Sequence, residues 1–250
     1  MTPTNHIKAG AATVAWASVI LLWALQPATP ALADRLVPAP FARQQVIPIL
    51  GITLDHEWQP VGIVVHVELE VENREDHEGL RVRFKSAPGR FSALSQHAVM
   101  QAILRSGHRA GLLPDSWTVT LTFPYEGVTV YGDSLSAMVG LSVVALARGD
   151  PLPPDRVITG TITSQGEIGP VGGVPYKIHA AYNWQFHRVL IPEEYDVTDG
   201  DWQTPFLMQV SPVGTLRKAY YGLTGHPLPS LPEPAFPVGE GQQEPVEGPI

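Results

Sequence analysis

The sequence predicts an α+β domain in which strands come first and βαβα units follow. Two observations predict this fold class. The first half of the chain is rich in β-branched residues, with runs in which apolar and polar residues alternate as in half-buried strands. The second half alternates short apolar runs with helical segments that stop at Gly or Pro. About 190 residues lie between the two chain ends, enough for one domain with a substantial core.

The strands of the first half are predicted where Val, Ile and Thr cluster. These segments are residues 46–54, 61–71, 80–84 and 117–123. A helix over residues 92–106 is predicted between the last two strands, because Ser92 is a good N-cap and Gly107 is a typical stop.

The second half contains three predicted helices and three predicted strands. The helices cover residues 134–148, 174–184 and 213–221, and the strands cover residues 156–163, 189–192 and 206–210. The first of these helices ends at Gly149 and Pro151, and the second follows a Gly-rich turn. No internal repeat and no second domain is predicted.

The N-terminal segment, residues 1–33, has the features of a secretory signal peptide. It contains one charged residue, Lys8, then an apolar run over residues 9–25 and an Ala-Leu-Ala sequence at 31–33. That order predicts cleavage before Asp34. The alternative is an uncleaved anchor that tethers the protein to a membrane through residues 9–25, a run near the lower limit for crossing a bilayer. Either interpretation predicts export to the periplasm or the outside of the cell.

The C-terminal segment, residues 226–250, is predicted to be a flexible acidic tail. It holds seven of the chain's 25 prolines. Such a segment cannot bury enough apolar surface to offset the entropy of ordering it. The folded domain is therefore predicted to cover residues 34–225.

The composition excludes several classes of function. The chain has no cysteine, which rules out disulfides, thiol catalysis and thiolate metal sites. Its formal net charge of −8 argues against nucleic-acid binding, which needs clustered Lys and Arg. The histidines lack zinc-type spacing, and the acidic residues between 193 and 201 lack Ca²⁺-loop spacing and are interpreted as a solvated loop. No metal and no cofactor is predicted.

The Gly132-Asp-Ser-Leu135 sequence suggests a GDSL-type esterase with Ser134 as its nucleophile. The other parts of that motif set are missing, since the chain has no Gly-x-Asn-Asp segment and no Asp after Ser134 with a His three positions later. Without a base within reach, a serine hydroxyl is an ordinary alcohol. Ser134 is therefore predicted to cap the helix that follows, and the esterase is kept as the third interpretation.

Four further motifs follow one another in a particular order. They are Asp133-Ser-Leu-Ser-Ala-Met138, Val157-Ile-Thr-Gly-Thr-Ile-Thr163, Gly166-Glu-Ile-Gly-Pro-Val-Gly-Gly-Val-Pro-Tyr-Lys-Ile-His-Ala-Ala181 and Val189-Leu-Ile-Pro192. In this order they resemble the proteolytic domain of the Lon protease family. The resemblance covers roughly residues 46–222, and the combination is specific although each motif alone is weak.

The resemblance implies a fold and four site residues. The implied fold is the Lon-type proteolytic domain, which is like domain 2 of ribosomal protein S5. Ser136 falls on the family's nucleophile and Lys177 on its base. Thr159 falls on the threonine that orients the lysine amine, and Asp133 on the acidic residue three positions before the serine. The implied activity is that of a serine endopeptidase with polypeptide substrates.

The surroundings of the two residues suit a serine–lysine dyad. Serine needs a neighbouring base at neutral pH, and lysine serves as one only where an apolar site disfavours its ammonium form. Val174, Ile178 and Ala181, at helical spacings around Lys177, are predicted to supply that site. Ser136, in the first turn of its helix, is expected to have backbone N–H groups nearby that can stabilise an oxyanion.

The chain departs from the family pattern beside the nucleophile. Ser134 and Leu135 stand where the family has Gly-Pro, and Ala137 and Met138 stand where it has Ala-Gly. Thr161 replaces the Glu that follows Thr-Gly in the family. The bulk of Leu135 and Met138 leaves a second interpretation open, namely a Lon-like module that binds peptides or acts as a scaffold without cleaving them.

The 250 residues contain no Gly-x-x-x-x-Gly-Lys-Ser/Thr phosphate loop. The family's ATP-dependent members unfold their substrates first. We therefore expect this exported domain to act without ATP, on unfolded or flexible polypeptides. Assembly into a homo-oligomer is a further expectation that follows from the resemblance.

Overall fold

The strands and helices of the domain are seen in a computed structural model, which describes residues 41–86, 89–194, 199 and 202–229. In chain order the elements are β1 (Ala42–Leu54), β2 (Pro60–Asn73), β3 (Arg81–Ser86), β4 (Arg90–Phe91), α1 (Ala93–Arg109), β5 (Trp117–Phe123), β6 (Thr129–Val130), α2 (Ser136–Arg148), β7 (Arg156–Ile158), β8 (Thr161–Ile162), β9 (Ile168–Gly169), α3 (Val174–Asn183), β10 (Arg188–Pro192), β11 (Gln209–Val213) and α4 (Leu216–Thr224). The predictions for residues 1–33, and for the tail from residue 230 onward, lie outside the described residues.

Four strands form the larger sheet, in the order β1-β2-β5-β3. β2 is antiparallel to both β1 and β5, whereas β3 runs parallel to β5. The alternating pattern of β2 has the expected effect, because Leu69 and Val71 are buried while Glu68 and Glu70 are exposed. One face of this sheet therefore belongs to the core, and β1 lies at its edge.

The second half of the domain contains a parallel sheet of three strands, in the order β11-β10-β7. After its first residue, β10 is buried throughout, as expected for a parallel strand covered on both faces. Two short pairs, β4 with β6 and β8 with β9, complete the strands of the described part of the chain. A mixed α/β architecture with strands first is therefore confirmed.

α2 forms the centre of the core. All of its residues from Ser136 to Ala147 are buried, as expected of a helix that is apolar on every side. α1 packs closely on it, since a Cβ on Gly140 would lie 3.0 Å from the Ala102 carbonyl oxygen. The Ser106 hydroxyl also donates to the Gly140 carbonyl at 3.0 Å. Because α2 is buried from its first residue, Ser136 lies inside the protein.

The start of α1 agrees with its prediction, and its end does not. The Ser92 side chain accepts a hydrogen bond from the Ser95 N–H, which confirms the predicted N-cap. The predicted stop at Gly107 is wrong, because α1 continues to Arg109. Gly107 is buried inside the helix with Pro114 packed against it, so its lack of a side chain allows close packing instead of ending the helix.

The single strand predicted over residues 156–163 is interrupted at Gly160. β7 ends at Ile158 and β8 begins only at Thr161. Gly160 adopts a φ of +154°, a conformation that glycine tolerates more easily than residues with a side chain. The chain leaves the parallel sheet at this point, and its backbone hydrogen bonds go to the start of α2.

The last predicted strand and the last predicted helix both begin later than expected. Leu207 lies in a turn with a φ of +64°, so β11 starts two residues beyond it. α4 starts after Thr215, whose hydroxyl accepts from the backbone N–H three residues later. In both places the predicted element included residues that come before it, since Leu207 lies in a turn and Val213 is the last residue of β11.

Two features are absent from the described residues. No helix among them is long and apolar enough to cross a membrane. No three His, Asp or Glu side chains among them come together as a group that could hold a metal ion. At the C-terminal end of the described part, Leu228 is buried in the core.

Gly62 is the position in β2 that we predict to be least tolerant of a side chain. β2 passes the start of α3 so closely that a Cβ on Gly62 would lie 1.9 Å from the Tyr176 carbonyl oxygen. We expect Gly62→Ala to lower the free energy of unfolding by roughly 1–3 kcal/mol, because backbone must shift to relieve the clash. Urea unfolding of the variant and the parent protein measures the difference.

Gly51→Ala is the matched control for this substitution. Gly51 lies opposite Ile63 in the same hairpin, and a Cβ there would meet the Ile63 side chain at an ordinary 3.4 Å. Equal losses of stability in the two variants would contradict the close approach of β2 to α3.

Candidate active site

Ser136 is the first residue of α2 and is 1 % exposed. The turn that precedes it is closed by a hydrogen bond from the Ser136 N–H to the Asp133 carbonyl at 2.9 Å. Leu135 occupies the N-cap position, and no side chain caps the helix. The predicted capping role of Ser134 is therefore wrong. Backbone carbonyls satisfy the first amides of this buried helix in place of a serine side chain.

Gly160 joins this turn to the parallel sheet. Its N–H donates to the Ser134 carbonyl at 3.0 Å, and its carbonyl accepts from the Ala137 N–H at 3.0 Å. The neighbouring residue, Thr159, donates its own N–H to the Leu190 carbonyl in β10 at 3.1 Å. The end of β7 thus places Thr159 close in space to the turn that carries Ser136, although the two are far apart in sequence.

These hydrogen bonds change which amides are available to an oxyanion. The N–H groups of Ser136 and Ala137 are both engaged by carbonyls. The N–H groups of Ser134 and Leu135 donate to no acceptor within the part of the chain that the structure describes. The free donors at the start of α2 are therefore those of the preceding turn, and the Ser136 N–H becomes free only when that turn opens.

Lys177 lies in the first turn of α3 and is 4 % exposed. Val174, Ile178 and Ala181 are buried around it, which confirms the apolar setting that their spacing predicted. The Lys177 amine donates a hydrogen bond to the Gly172 carbonyl at 2.9 Å. The helix therefore keeps the amine inside the protein, with one backbone acceptor next to it.

Burial lowers the pKa of Lys177 to about 8, because a buried ammonium group loses its hydration. The negative charges of Asp199 and Asp133 act in the opposite direction and raise this pKa, but the effect of burial is larger. A lysine with a pKa of about 8 is mostly charged at pH 7, but roughly a tenth of the molecules carry it in the neutral form there. It can therefore accept a proton from a hydroxyl.

A cavity of about 280 Å³ opens beside these residues. Its lining includes Ser134, Leu135 and Lys177. Mostly apolar residues of the two long strands line it as well, namely Ile49, Leu50, Gly51, Ile52, Thr53, Ile63 and Val65. Ser136 follows directly after the lining residue Leu135. Of the two bulky departures from the family pattern, Leu135 faces the cavity, whereas Met138 is buried in the core.

Thr159 is buried, and its hydroxyl has no hydrogen-bond partner among the described residues. The hydrogen bond expected between this hydroxyl and the Lys177 amine is not formed, and the amine donates to the Gly172 carbonyl. A buried hydroxyl without a partner costs about 1–3 kcal/mol. Thr159 thus offers an unused acceptor close to the turn that carries Ser136.

Asp199 is a site residue that the sequence interpretation missed, because it was assigned to a solvated acidic loop. Its two carboxylate oxygens accept from the N–H groups of Gly173 and Val174, each at 2.9 Å. A signal for such a partner exists in the sequence. α3 begins with Gly-Gly-Val-Pro, without the Ser, Thr, Asp or Asn that usually caps a helix. An acceptor from elsewhere in the chain was therefore required.

Comparison with known families agrees with this geometry. Residues 95–201 match the family described as the Lon protease (S16) C-terminal proteolytic domain. The matched range contains Asp133, Ser136, Thr159, Lys177 and Asp199.

Individual relatives give the same result. The chain is 31% identical over 138 residues to the archaeal Lon protease of Archaeoglobus fulgidus, an alignment that covers 54% of this chain and 21% of that protein. It is 32% identical over 112 residues to the Lon protease of Rhizobium meliloti, covering 44% of this chain and 13% of that protein. It is 42% identical over 75 residues to the archaeal Lon protease of Methanocaldococcus jannaschii, covering 30% of this chain and 12% of that protein.

The aligned part of the chain spans about a fifth or less of the length of these relatives. Within the matched residues 95–201, the buried serine and lysine stand in the order in which the family carries its motifs, on a mixed α/β framework. This part of the chain is therefore similar to the Lon protease C-terminal proteolytic domain.

Proposed function

We propose that this protein is a serine endopeptidase in which Ser136 and Lys177 form a catalytic dyad. The observation that supports the proposal most directly is the position of Lys177. Its amine is buried, has a pKa lowered to about 8, and lies in the wall of a cavity whose other lining residues include the two that precede Ser136. A solvated helix lysine with no role in chemistry would have none of these properties.

The proposed reaction uses one hydroxyl and one amine. The Ser136 hydroxyl attacks the scissile carbonyl carbon while its proton passes to the neutral Lys177 amine. When the C–N bond breaks, the lysine returns that proton to the leaving amine, and an ester to Ser136 remains. Water then attacks the ester with Lys177 again as base, which releases the acid and restores the serine hydroxyl.

One rearrangement is needed before this reaction starts. The Lys177 amine must turn from the Gly172 carbonyl toward Ser136, and the unpaired Thr159 hydroxyl supplies an acceptor that can orient it there. The free N–H groups of Ser134 and Leu135 are the proposed donors to the oxyanion. Asp133 is proposed to line the site, where its negative charge supports the protonated form of Lys177.

The proposed substrate is an extended polypeptide segment. The lining of the cavity that contains Lys177 includes residues 49–53 of β1, which is the edge strand of its sheet. An edge strand can pair with a second extended chain through backbone hydrogen bonds, and the apolar lining favours an apolar side chain next to the scissile bond. Unfolded or flexible polypeptides can adopt this conformation, whereas a folded domain presents few such segments.

The finer parts of the proposal concern setting and assembly. We propose that the protein acts outside the cytoplasm, without ATP, and that its framework has the fold of domain 2 of ribosomal protein S5. The signal-like pattern of residues 1–33 supports export. Homo-oligomerisation is part of the same proposal. Each of these points can be tested apart from the dyad chemistry. An assay that contains no nucleotide tests directly whether the protein acts without ATP.

Both residues of the dyad are predicted to be essential for cleavage. In a nucleotide-free assay on an unfolded, fluorescently labelled protein, we expect Ser136→Ala and Lys177→Ala each to lower the cleavage rate at least about 1000-fold, because each removes a group that reacts. Ser134→Ala should keep cleaving, which separates the dyad from the GDSL-type esterase. Ser142→Ala is the control for a substitution within α2, since its buried hydroxyl has no partner among the described residues.

The same assay distinguishes the proposed enzyme from a peptide-binding module. If the parent protein and Ser136→Ala are equally inert on several unfolded substrates but bind peptides alike, the catalytic proposal fails. A covalent adduct of a peptidyl boronate, detected by mass spectrometry on the parent protein and absent from Ser136→Ala, is the expected result.

The kcat/KM for cleavage is predicted to depend on pH through the protonation of Lys177. Only the neutral form of Lys177 can take the serine proton, and that form gains population as the pH rises through about 8. We therefore expect kcat/KM to rise with pH across this region and to level off above it. The pH values 6 and 9 lie about one pH unit or more from the expected midpoint. If kcat/KM is the same at both, Lys177 is not the base.

The free energy of unfolding is also predicted to depend on pH through Lys177. An unfolded lysine has a pKa of about 10.4, so between about pH 8 and that value the unfolded chain holds a proton that the folded protein has lost. The free energy of unfolding contributed by this group therefore rises with pH across the window. Below pH 8 the lysine is charged in both states, and its burial costs about 3 kcal/mol, since one pKa unit corresponds to about 1.4 kcal/mol.

It follows that Lys177→Met should stabilise the protein at pH 7 and abolish cleavage. The gain should shrink as the pH approaches 10, because the neutral amine is no longer penalised there. Urea unfolding at both pH values measures this, with Lys218→Met, at an exposed lysine of α4, as the matched control. A loss of stability in Lys177→Met at pH 7 would contradict the proposed burial cost.

A further inference from the structure

Asp199 connects a distant part of the chain to the start of α3. It follows β10 in sequence, 26 residues after Gly173. Its two carboxylate oxygens accept separately from the Gly173 and Val174 N–H groups, both at 2.9 Å. Hydrogen bonds to a charged group are stronger than those between neutral groups. A negative charge is also favoured at the N-terminus of a helix.

The residues that Asp199 holds are those that hold Lys177. The Lys177 amine donates to the Gly172 carbonyl at 2.9 Å, and the Lys177 backbone N–H donates to the Gly173 carbonyl at 3.2 Å. Both ends of the lysine are therefore attached to the Gly172–Gly173 turn. The position of that turn determines where the amine lies relative to the cavity.

The Gly172–Gly173 turn has few ways to hold itself in place. Gly173 adopts a φ of +69°, and no side chain of α3 caps the helix. On one side Ile52 of β1 packs against the turn so closely that a Cβ on Gly173 would lie 1.9 Å from it. On the other side are the two hydrogen bonds to Asp199. The turn is thus clamped between an apolar contact and a carboxylate.

We propose that Asp199 is a positioning residue, which fixes the Gly172–Gly173 turn and thereby holds the Lys177 amine at the wall of the cavity. This inference rests on the proposed function of Lys177 as the base. Asp199 itself takes no part in bond making or breaking. It acts through the turn, and through its charge on the amine.

The charges around the amine are few. Asp199 and Asp133 are the two charged groups that act on Lys177. The residues of β1 and β2 that share its cavity are Ile, Leu, Val, Gly and Thr, none of which titrates. On α3 itself, Tyr176 and His179 are exposed, on the outer side of the helix. Removing the charge of Asp199 therefore removes one of the two negative charges that favour the ammonium form.

Three variants of the full chain separate the two roles of Asp199. Asp199→Asn keeps the shape and one acceptor oxygen but removes the charge. Asp199→Ala removes the charge and both hydrogen bonds. Asp55→Asn is the matched control, because the Asp55 carboxylate also accepts from two backbone N–H groups, those of Glu57 and Gln59, and is not among the charges that act on Lys177.

Two readouts are measured on each variant. The first is the pH dependence of acetylation of Lys177 by trace acetic anhydride, quantified by mass spectrometry with exposed Lys218 as internal reference. It reports the protonation and accessibility of the amine and needs no enzymatic activity. The second is the split between kcat and KM for cleavage of an unfolded substrate.

We expect the acetylation midpoint of Lys177 in Asp199→Asn to move to lower pH, because the ammonium form has lost a partner. In Asp199→Ala it should move to higher pH, toward that of Lys218, because a released turn lets water reach the amine and burial is the larger of the two effects. The kcat of Asp199→Ala should fall roughly 10- to 100-fold with little change in KM, as expected for a misplaced base. Asp55→Asn should match the parent protein in both readouts.

The inference is overturned if both Asp199 variants give the acetylation profile and the kcat of the parent protein. It is also overturned if Asp55→Asn changes them as much as the Asp199 variants do. If the parent protein does not cleave but the opposite midpoint shifts occur, the proposed function fails while the positioning of Lys177 by Asp199 stands. If cleavage depends on Ser136 and Lys177 but the midpoints do not move, the proposed function stands and Asp199 has no positioning role.

Discussion

The complete burial of α2 is the constraint on which the rest of this structure depends. A buried helix cannot leave its first amides to water, so other parts of the chain must supply acceptors. The Asp133 carbonyl and the Gly160 carbonyl do so for Ser136 and Ala137. Because Gly160 lies at the end of β7, this requirement ties the nucleophile turn to the parallel sheet. The candidate site thus lies at a junction that the core needs for its own stability.

A second constraint follows from placing a base in the same interior. A lysine serves as a base near neutral pH only when its charged form is disfavoured, and burial does this at the expense of folding stability. The extensive apolar core offsets that expense. The nearby carboxylates of Asp133 and Asp199 limit it, since both favour the ammonium form. The pKa of Lys177 is therefore a compromise between a dry site and two negative charges.

The local features of this domain could be predicted from the sequence because they depend on neighbouring residues. Alternation placed the strands of the larger sheet, and Ser92 marked the start of α1. The apolar residues at helical spacing around Lys177 correctly indicated that its side chain is buried. The order of motifs indicated the likeness to the Lon proteolytic domain that residues 95–201 show, and this matched range includes every predicted site residue. Errors in this group lie at element ends, as at Gly107 and Leu207, and at Gly160, which interrupts a predicted strand.

The sequence by itself therefore determined which elements form and which residues can supply a nucleophile and a base. Only the tertiary structure decided how those groups are held. Gly160 breaks a strand because it must bond the start of α2, and Asp199 caps a helix 25 residues before it. Ser134 does not cap α2 as predicted, because backbone carbonyls, one of them from Gly160, accept from the first amides of that helix. Each of these contacts joins segments far apart along the chain, and their partners are chosen by packing and by the need to satisfy buried backbone groups, which no local pattern records.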